Sequence, residues 1–341
     1  MSITSYAAEL ANTIEVDAWN PETVTGEITT EATGAPPIVV YFFSSEIAHS
    51  SIHEKLARRY ADSVLIGSSM IGGWTSRRSV ETGVSVMEFG SAEVGEVVLA
   101  HATGVKSDPD AAADTIVNDL LCREPRGGYS PDEWVGIVLI DGLALGERLM
   151  QRFTSKVGFT VPLVGGAAAD NLTFTETQVA HNGTVEPDGA IVALLKMKVP
   201  FHFDHHVHYR PTSSYTMVTR AEPLKRVVWE LDGQAAAERY AQLIGKRSVS
   251  EIVASDFGRH PFGVLSGGGV FARSPNSVVD GKGLRFYCNV EAGTRLSLLE
   301  PGDIIKNAEE ALASAGKYIG QVQGALLFNC VLRHLEMKET P

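Results

Sequence analysis

Two apolar runs of strand length, Ile38–Phe43 and Val135–Ile140, constrain the fold of this chain more than any other feature. Each run is followed by a segment whose apolar residues have helical spacing, and then by a second strand that ends on glycines. That order is typical of two parallel strands joined by a crossover helix. Hairpin signals elsewhere, such as Asn182-Gly183 and Asp188-Gly189, exclude a sheet that is parallel throughout.

The alternation predicts an α/β (α+β mixed) protein of two domains, with mixed, partly antiparallel β-sheets flanked by helices. A length of 341 residues supports two domains, because single cores rarely grow past roughly 250–300 residues. We predict an N-terminal arm or linker at residues 1–35, a first domain at 36–210 and a second at 211–341. Val135–Ile140 and Gly324–Phe328 are predicted to be central buried strands.

An internal duplication is suggested by two short stretches, Val64–Ser69 and Pro162–Ala167, which follow the two strand–helix pairs and resemble each other. If the duplication is real, Gly67 and Gly165 occupy equivalent strand ends. Ligands of open α/β sheets bind outside the carboxyl ends of strands, so both glycine turns are expected to border one cleft.

Composition excludes several classes of function. A formal net charge of −12, with no basic stripe, argues against a nucleic-acid partner. The apolar runs are far shorter than the roughly 20 residues that span a bilayer, so no membrane insertion is expected. The first residues carry no secretory signal, and the cysteines are three, widely spaced and without a CxxC pair. We therefore expect a cytoplasmic protein.

The glycine turns and their polar neighbours are the candidate ligand-binding residues. Backbone near glycine approaches a ligand closely, and its N–H groups can bind a carboxylate, while an acidic neighbour can take an ammonium. The alternative is that these glycines only fit tight turns or close packing. The candidates are Gly67, Ser68, Ser69, Gly165, Gly166, Ala167, Asp170 and Asn171.

Polar residues also end the first strand of each unit, at Ser44-Ser45 and Asp141-Gly142. Asp141 either pairs with a ligand ammonium or caps the helix that follows. Near the C-terminus, Asn329 and Arg333 follow a predicted strand. Arg333 either binds a ligand carboxylate or pairs with an internal acid.

The histidine-rich run Phe201–Tyr209 is the most conspicuous local feature. On a strand, His202, His206 and His208 share one face with Asp204, a pattern that suits a metal ion but equally suits a solvated face opposite a core face. We predict no metal site here. No nucleophile–base motif is recognisable either, so no catalytic residue and no enzymatic activity are predicted.

Four stretches taken together resemble the FIST N and FIST C domain pair. They are Val164–Leu172, Trp229–Gln234, Gly283–Leu296 and Gly324–His334. The chain departs from the family at Ile66–Gly73, where members carry a different polar turn. It also ends at Pro341, before a stretch that members usually continue into, and this suggests an incomplete C-terminal domain.

The resemblance implies a bacterial sensory protein of signal transduction that binds a small molecule, an amino acid or a related metabolite. It also implies a separate signalling protein as a partner. Some members are haem-binding nitric-oxide sensors, so haem is the one cofactor that the resemblance leaves open. In this sequence its candidate ligands are the histidines of the run His202–His208, among them His206, and the separate His260. A hydrolase-like enzyme is the remaining alternative.

Overall fold

The structure is a computed structural model. It describes residues 13–15, 34–47, 51–75, 79–80, 82–158 and 160–339. The arm predicted for residues 1–35 lies almost wholly outside the described residues. The chain divides into two compact units, Met1–Phe203 with Ala315–Val331 and Asp204–Ser314 with Leu332–Pro341.

The first unit contains two mixed sheets. Its strands are β1 (Thr13–Glu15), β2 (Ile38–Ser44), β3 (Val64–Met70), β4 (Gly73–Trp74), β5 (Ser79–Val80), β6 (Val84–Phe89), β7 (Val94–Thr103), β8 (Trp134–Ile140), β9 (Leu163–Ala167), β10 (Val179–His181), β11 (Thr184–Glu186) and β12 (Gly189–Met197). One sheet has the order β1-β6-β2-β3-β10-β11 and the other β7-β12-β8-β9. The pairs β2–β3 and β8–β9 are parallel and their neighbours antiparallel, so the predicted mixed sheets are confirmed.

Helices cover the outer face of each sheet. They are α1 (Ile52–Arg59), α2 (Pro109–Cys122) and α3 (Gly146–Lys156). Along β2, Val39 and Tyr41 pack towards α1, whereas Ile38 and Val40 pack towards the second sheet. Because both faces of β2 are buried, its residues are apolar at successive positions and not only at alternate ones. The unit is a four-layer arrangement of helix, sheet, sheet and helices.

Two short sequence motifs shape the backbone of the first unit. Asp108 caps α2 because its Oδ1 accepts a 2.9 Å hydrogen bond from Ala111 N, and Pro109 occupies the first turn. Asn182 and Gly183 both have positive φ, 45° and 87°, which is the geometry of a tight hairpin turn between β10 and β11.

The second unit has one extended antiparallel sheet. Its strands are β13 (Arg210–Glu222), β14 (Val227–Leu231), β15 (Gln234–Ala235), β16 (Phe262–Ser266), β17 (Gly269–Arg273), β18 (Pro275–Val279), β19 (Gly283–Phe286) and β20 (Arg295–Glu300). The order is β17-β16-β20-β13-β14-β19-β18, with β15 paired to β14. The remaining helices are α4 (Ala236–Leu243), α5 (Ala254–Arg259), α6 (Ile304–Ile319) and α7 (Val331–Glu339).

The predicted central strand at Gly324–Phe328 is wrong, whereas Val135–Ile140 is the buried strand β8 as expected. Residues 324–328 pair with no strand, and Leu327 is 74% exposed. Leu326 and Phe328 instead pack against the apolar cluster between the two sheets of the first unit. The segment is apolar because it covers that cluster, and not because it lies inside a sheet. None of the described helices is long and apolar enough to cross a membrane.

Candidate functional site

The ends of β3 and β9 meet in the first unit. Ala169 N donates to Ser69 O at 3.0 Å, and Gln178 N donates to Ser69 Oγ at 3.0 Å. Ser69 N in turn donates to Gln178 O at 2.9 Å. Ser69 is thereby fixed on three sides, and the loop that follows β9 is held beside the end of β3.

A cavity of about 260 Å³ opens where these elements meet. Every described residue that lines it is polar, and these residues include three carboxylates and no basic side chain. The lining residues are Ser45, Glu46, Ser69, Asp170, Asn171, Thr173, Thr175, Glu176 and Gln178. Since like charges that share a small space repel one another, the cavity favours a cation and disfavours an anion.

Asp170 holds the shape of the loop that forms one wall. Its Oδ2 accepts hydrogen bonds from Thr173 Oγ1 at 2.7 Å and from Thr175 N at 2.8 Å, and its Oδ1 accepts one from Phe174 N at 3.1 Å. Burial opposes ionisation of this carboxyl, but the hydrogen bonds outweigh it and lower the pKa of Asp170 below its usual value. Asp170 is therefore an anion with most of its acceptor capacity in use.

The other two carboxylates each accept a hydrogen bond from a side-chain amide. Asn171 Nδ2 donates to Glu46 Oε1 at 2.6 Å, and Gln178 Nε2 donates to Glu176 Oε1 at 2.7 Å. These contacts turn the amide donors away from a ligand. Gln178 Oε1 is buried and has no hydrogen-bond partner among the described residues, which leaves an acceptor without a donor.

Three of the predicted ligand-binding residues line the cavity, namely Ser69, Asp170 and Asn171. The others lie elsewhere: Gly67, Ser68, Asp141, Gly165, Gly166, Ala167, Asn329 and Arg333. Ser68 is buried within β3, and Ala167 is an exposed residue at the end of β9. The sequence predicts that backbone N–H groups near these glycines bind a carboxylate, but the N–H of the next residue, Ala168, donates to Ile140 O at 2.8 Å.

Gly67 and Gly165 lie inside strands and not in turns, which corrects the expectation from the sequence. They do occupy equivalent positions, because Gly67 pairs with Tyr41 of β2 and Gly165 with Val138 of β8. A Cβ at Gly67 would lie 2.6 Å from Tyr41 O, and one at Gly165 only 1.9 Å from Val138 O. Close packing against the neighbouring strand therefore accounts for both glycines.

Asp141 is 1% exposed and neither caps a helix nor lines the cavity. Its Oδ1 accepts from Thr177 Oγ1 and from Leu143 N, each at 2.7 Å. Its Oδ2 lies 2.9 Å from Lys106 Nζ. Because α3 begins only at Gly146, the contact with Leu143 closes a turn before the helix. The predicted helix cap is therefore wrong. The buried carboxylate pairs with the ammonium of Lys106, whose side chain is 39% exposed, and its pairing with a ligand ammonium stays a prediction.

The histidine-rich run is not a strand, so its side chains do not share a face. His202 stacks on Tyr318, with ring centroids 4.5 Å apart, and His205 stacks on Phe271 at 5.1 Å. His206 Nε2 lies 3.0 Å from Asp204 Oδ2. These three imidazoles therefore contact three different partners. The segment is not paired with a described strand, so no strand geometry aligns its side chains.

Arg333 does not line the cavity. Its Nη1 lies 3.0 Å from His208 Nδ1 and 3.3 Å from Asn307 Oδ1. Since arginine only donates, His208 Nδ1 is the acceptor and His208 Nε2 donates to Glu336 at 2.9 Å. Burial lowers the pKa of His208, and the arginine charge lowers it further, while Glu336 opposes the shift. His208 is thus a neutral link between Arg333 and Glu336.

The cavity does not suit haem. A haem needs an apolar slot and an axial ligand, most often histidine. The lining residues that the structure describes are all polar and include no histidine. The haem ligands considered from the sequence do not favour it either: His206 pairs with Asp204, and His260 ends α5, where its carbonyl accepts from Tyr240 Oη.

Sequence reasoning missed Glu46, Thr173, Thr175, Glu176 and Gln178. Glu46 directly follows Ser44-Ser45, which the sequence places at this edge of the sheet, so its position could have been inferred. The other four belong to the polar stretch after Asp170. Nothing in that stretch shows which side chains turn inward, since the loop is shaped by the Asp170 hydrogen bonds.

The fold and the cavity define an α+β protein with a small, acidic, polar cavity in its first unit. Family models for the FIST N domain and the FIST C domain match residues 38–234 and 236–340, so the chain belongs to the FIST family, whose domains are signalling-associated sensor domains. It is also 27% identical over 255 residues to an uncharacterized protein of Methanocaldococcus jannaschii. That match covers 69% of this chain and 48% of the relative, so the chain spans about half of the relative's length.

Proposed function

We propose that this protein is a sensor whose cavity binds a small molecule through an ammonium group, an amino acid or a related amine, without turning it over. The observation that carries the proposal is the cavity lining at the edge where β3 and β9 end, in which the described residues supply three carboxylates and no basic group. An ammonium brings three donors and one positive charge. Gln178 Oε1 and the carboxylates of Glu46 and Glu176 are acceptors of the matching kind.

Binding without turnover is supported by the chemistry of the lining. Its described residues include no histidine, cysteine or lysine, and Ser69 Oγ accepts a hydrogen bond from the backbone N–H of Gln178. Asp170 is held as an anion by its hydrogen bonds, so it is a poor proton donor. The cavity is small, at the lower end of ordinary ligand sites, which suits a compact metabolite. We propose that a separate signalling protein reads the bound state.

Glu176→Gln is expected to weaken binding of the cationic ligand roughly tenfold or more, because a charge-assisted hydrogen bond becomes a neutral one. We would first use calorimetry to test proteinogenic amino acids, their decarboxylated amines and dicarboxylic acids on the full chain. The strongest ligand would then be titrated into Glu176→Gln. Glu96→Gln, an exposed residue of β7, is the matched control and should bind normally.

Preferential binding of dicarboxylic acids, or equal affinity in the two variants, would contradict the proposal. Mass analysis of the ligand after prolonged incubation tests the second half of it. Recovery of the intact molecule is expected, and formation of a product would favour an enzyme.

A further inference from the structure

Two histidines and a glutamate converge at the edge of the two sheets of the first unit, away from the cavity. His101 lies on β7 of the four-stranded sheet, and His181 and Glu186 lie on the hairpin β10–β11 of the six-stranded sheet. One ligand atom from each lies within 4.8 Å of the other two. No motif in the sequence points to this group, because His101 is distant from the other two along the chain.

The distances within the group match those between ligands of one metal ion. His181 Nε2 lies 3.1 Å and His101 Nδ1 3.6 Å from Glu186 Oε1. Ligands at 2.0–2.2 Å from a tetrahedral zinc ion are separated by about 3.4 Å. The two imidazole rings face each other, with centroids 3.9 Å apart and planes inclined by 33°.

Glu186 provides an independent observation. Its Oε2 is buried and accepts no hydrogen bond from any described residue. A buried carboxylate oxygen without a donor is costly, and a cation at the group would compensate for it. A hydrogen bond from His181 gives Glu186 Oε1 a donor. It does not give a donor to the buried Oε2, and it does not account for the position of His101 beside the other two residues. His101 is 41% exposed at its side chain, so an ion can reach the group from solvent.

We propose that His101, His181 and Glu186 form a site for a divalent transition-metal ion such as zinc, with the remaining coordination positions open to solvent. Two imidazoles and one carboxylate are the donor set that such ions prefer. Because the ligands come from both sheets, the ion links the edges of the sheets and stabilises the folded first unit. This site is separate from the proposed amine cavity, so either proposal can fail alone.

The test is zinc binding by the chelator-treated full chain, measured by calorimetry and by metal analysis after gel filtration. One equivalent of zinc is expected, with a rise in melting temperature. The equivalent should be lost in His101→Ala and in Glu186→Gln. Cobalt should give the absorption bands of a low-symmetry site in the wild type but not in either variant.

The control is the double variant His205→Ala/His206→Ala, which removes two histidines of the histidine-rich run and should retain the bound zinc. Loss of zinc in the control but not in His101→Ala would overturn the proposal, as would the absence of bound zinc at micromolar free metal. If Glu186→Gln fails to fold, His101→Ala decides the question, because an exposed side chain can be removed without opening a cavity.

Discussion

Gly165→Ala is expected to destabilise the protein by more than about 3 kcal/mol, or to prevent folding, whereas Gly166→Ala is expected to change its stability by less than about 1 kcal/mol. The new Cβ at residue 165 would lie 1.9 Å from Val138 O and 2.7 Å from Val138 C. Both atoms are backbone of the central strand β8, which is packed on both faces and cannot move aside.

The neighbouring glycine is the matched control. The nearest atoms to a Cβ at residue 166 all belong to the Phe328 side chain, and the closest is Cδ1 at an ordinary contact distance of 3.4 Å. Urea unfolding of the two variants, followed by near-ultraviolet circular dichroism, measures the difference. Similar unfolding midpoints for Gly165→Ala and the wild type would show that β8 and β9 are not packed as described. A large loss in Gly166→Ala would point instead to a tight contact with the segment around Phe328.

Asp170→Asn is expected to cost roughly 2–3 kcal/mol and to open the loop that forms the cavity wall. The carboxylate accepts several hydrogen bonds on two oxygens, and an amide must turn its NH₂ group towards at least one of those donors. Hydrogen exchange at Phe174 and Thr175 should accelerate, and ligand binding should be lost. Thr173→Val removes only one of the donors and should have a smaller effect on both measurements.

The effect of this substitution should also depend on pH. The pKa of Asp170 is lower in the folded chain than its usual value of 3.8, so its ionised form stabilises the fold above that pH. This stabilisation disappears as the pH falls through the lower pKa of the folded state. The difference in unfolding free energy between the wild type and Asp170→Asn should therefore shrink below about pH 4. A constant difference down to pH 2 would contradict the ionised role of Asp170.

Elements whose physics is local or periodic can be predicted from the sequence. Ile38–Phe43 and Val135–Ile140 are strands because their residues are apolar on both faces, as burial between a helix layer and a second sheet requires. Asp108 begins a helix because its side chain satisfies an N–H group that is only a few residues away. The mixed sheets can be predicted in the same way. A crossover helix joins two parallel strands and a hairpin joins two antiparallel strands, and the sequence contains signals for both.

Only part of the candidate site could be predicted in this way. Ser69, Asp170 and Asn171 were found because ligand sites of α/β folds lie beyond strand ends. Gly67 and Gly165 were misjudged, because a glycine that fits against a neighbouring backbone looks the same in sequence as one that approaches a ligand. Glu176 and Gln178 could not be placed, since their direction depends on how Asp170 folds the loop.

The tertiary structure alone decided the features that depend on distant contacts. Gly324–Phe328 has the composition of a strand, yet it covers an apolar cluster, because no sheet edge pairs with it. His101, His181 and Glu186 carry no shared motif and meet only because two sheets pack face to face. Apolar periodicity indicates which residues are buried, but it does not indicate which strands become neighbours. That pairing of strands places the residues of the cavity and of the proposed metal site.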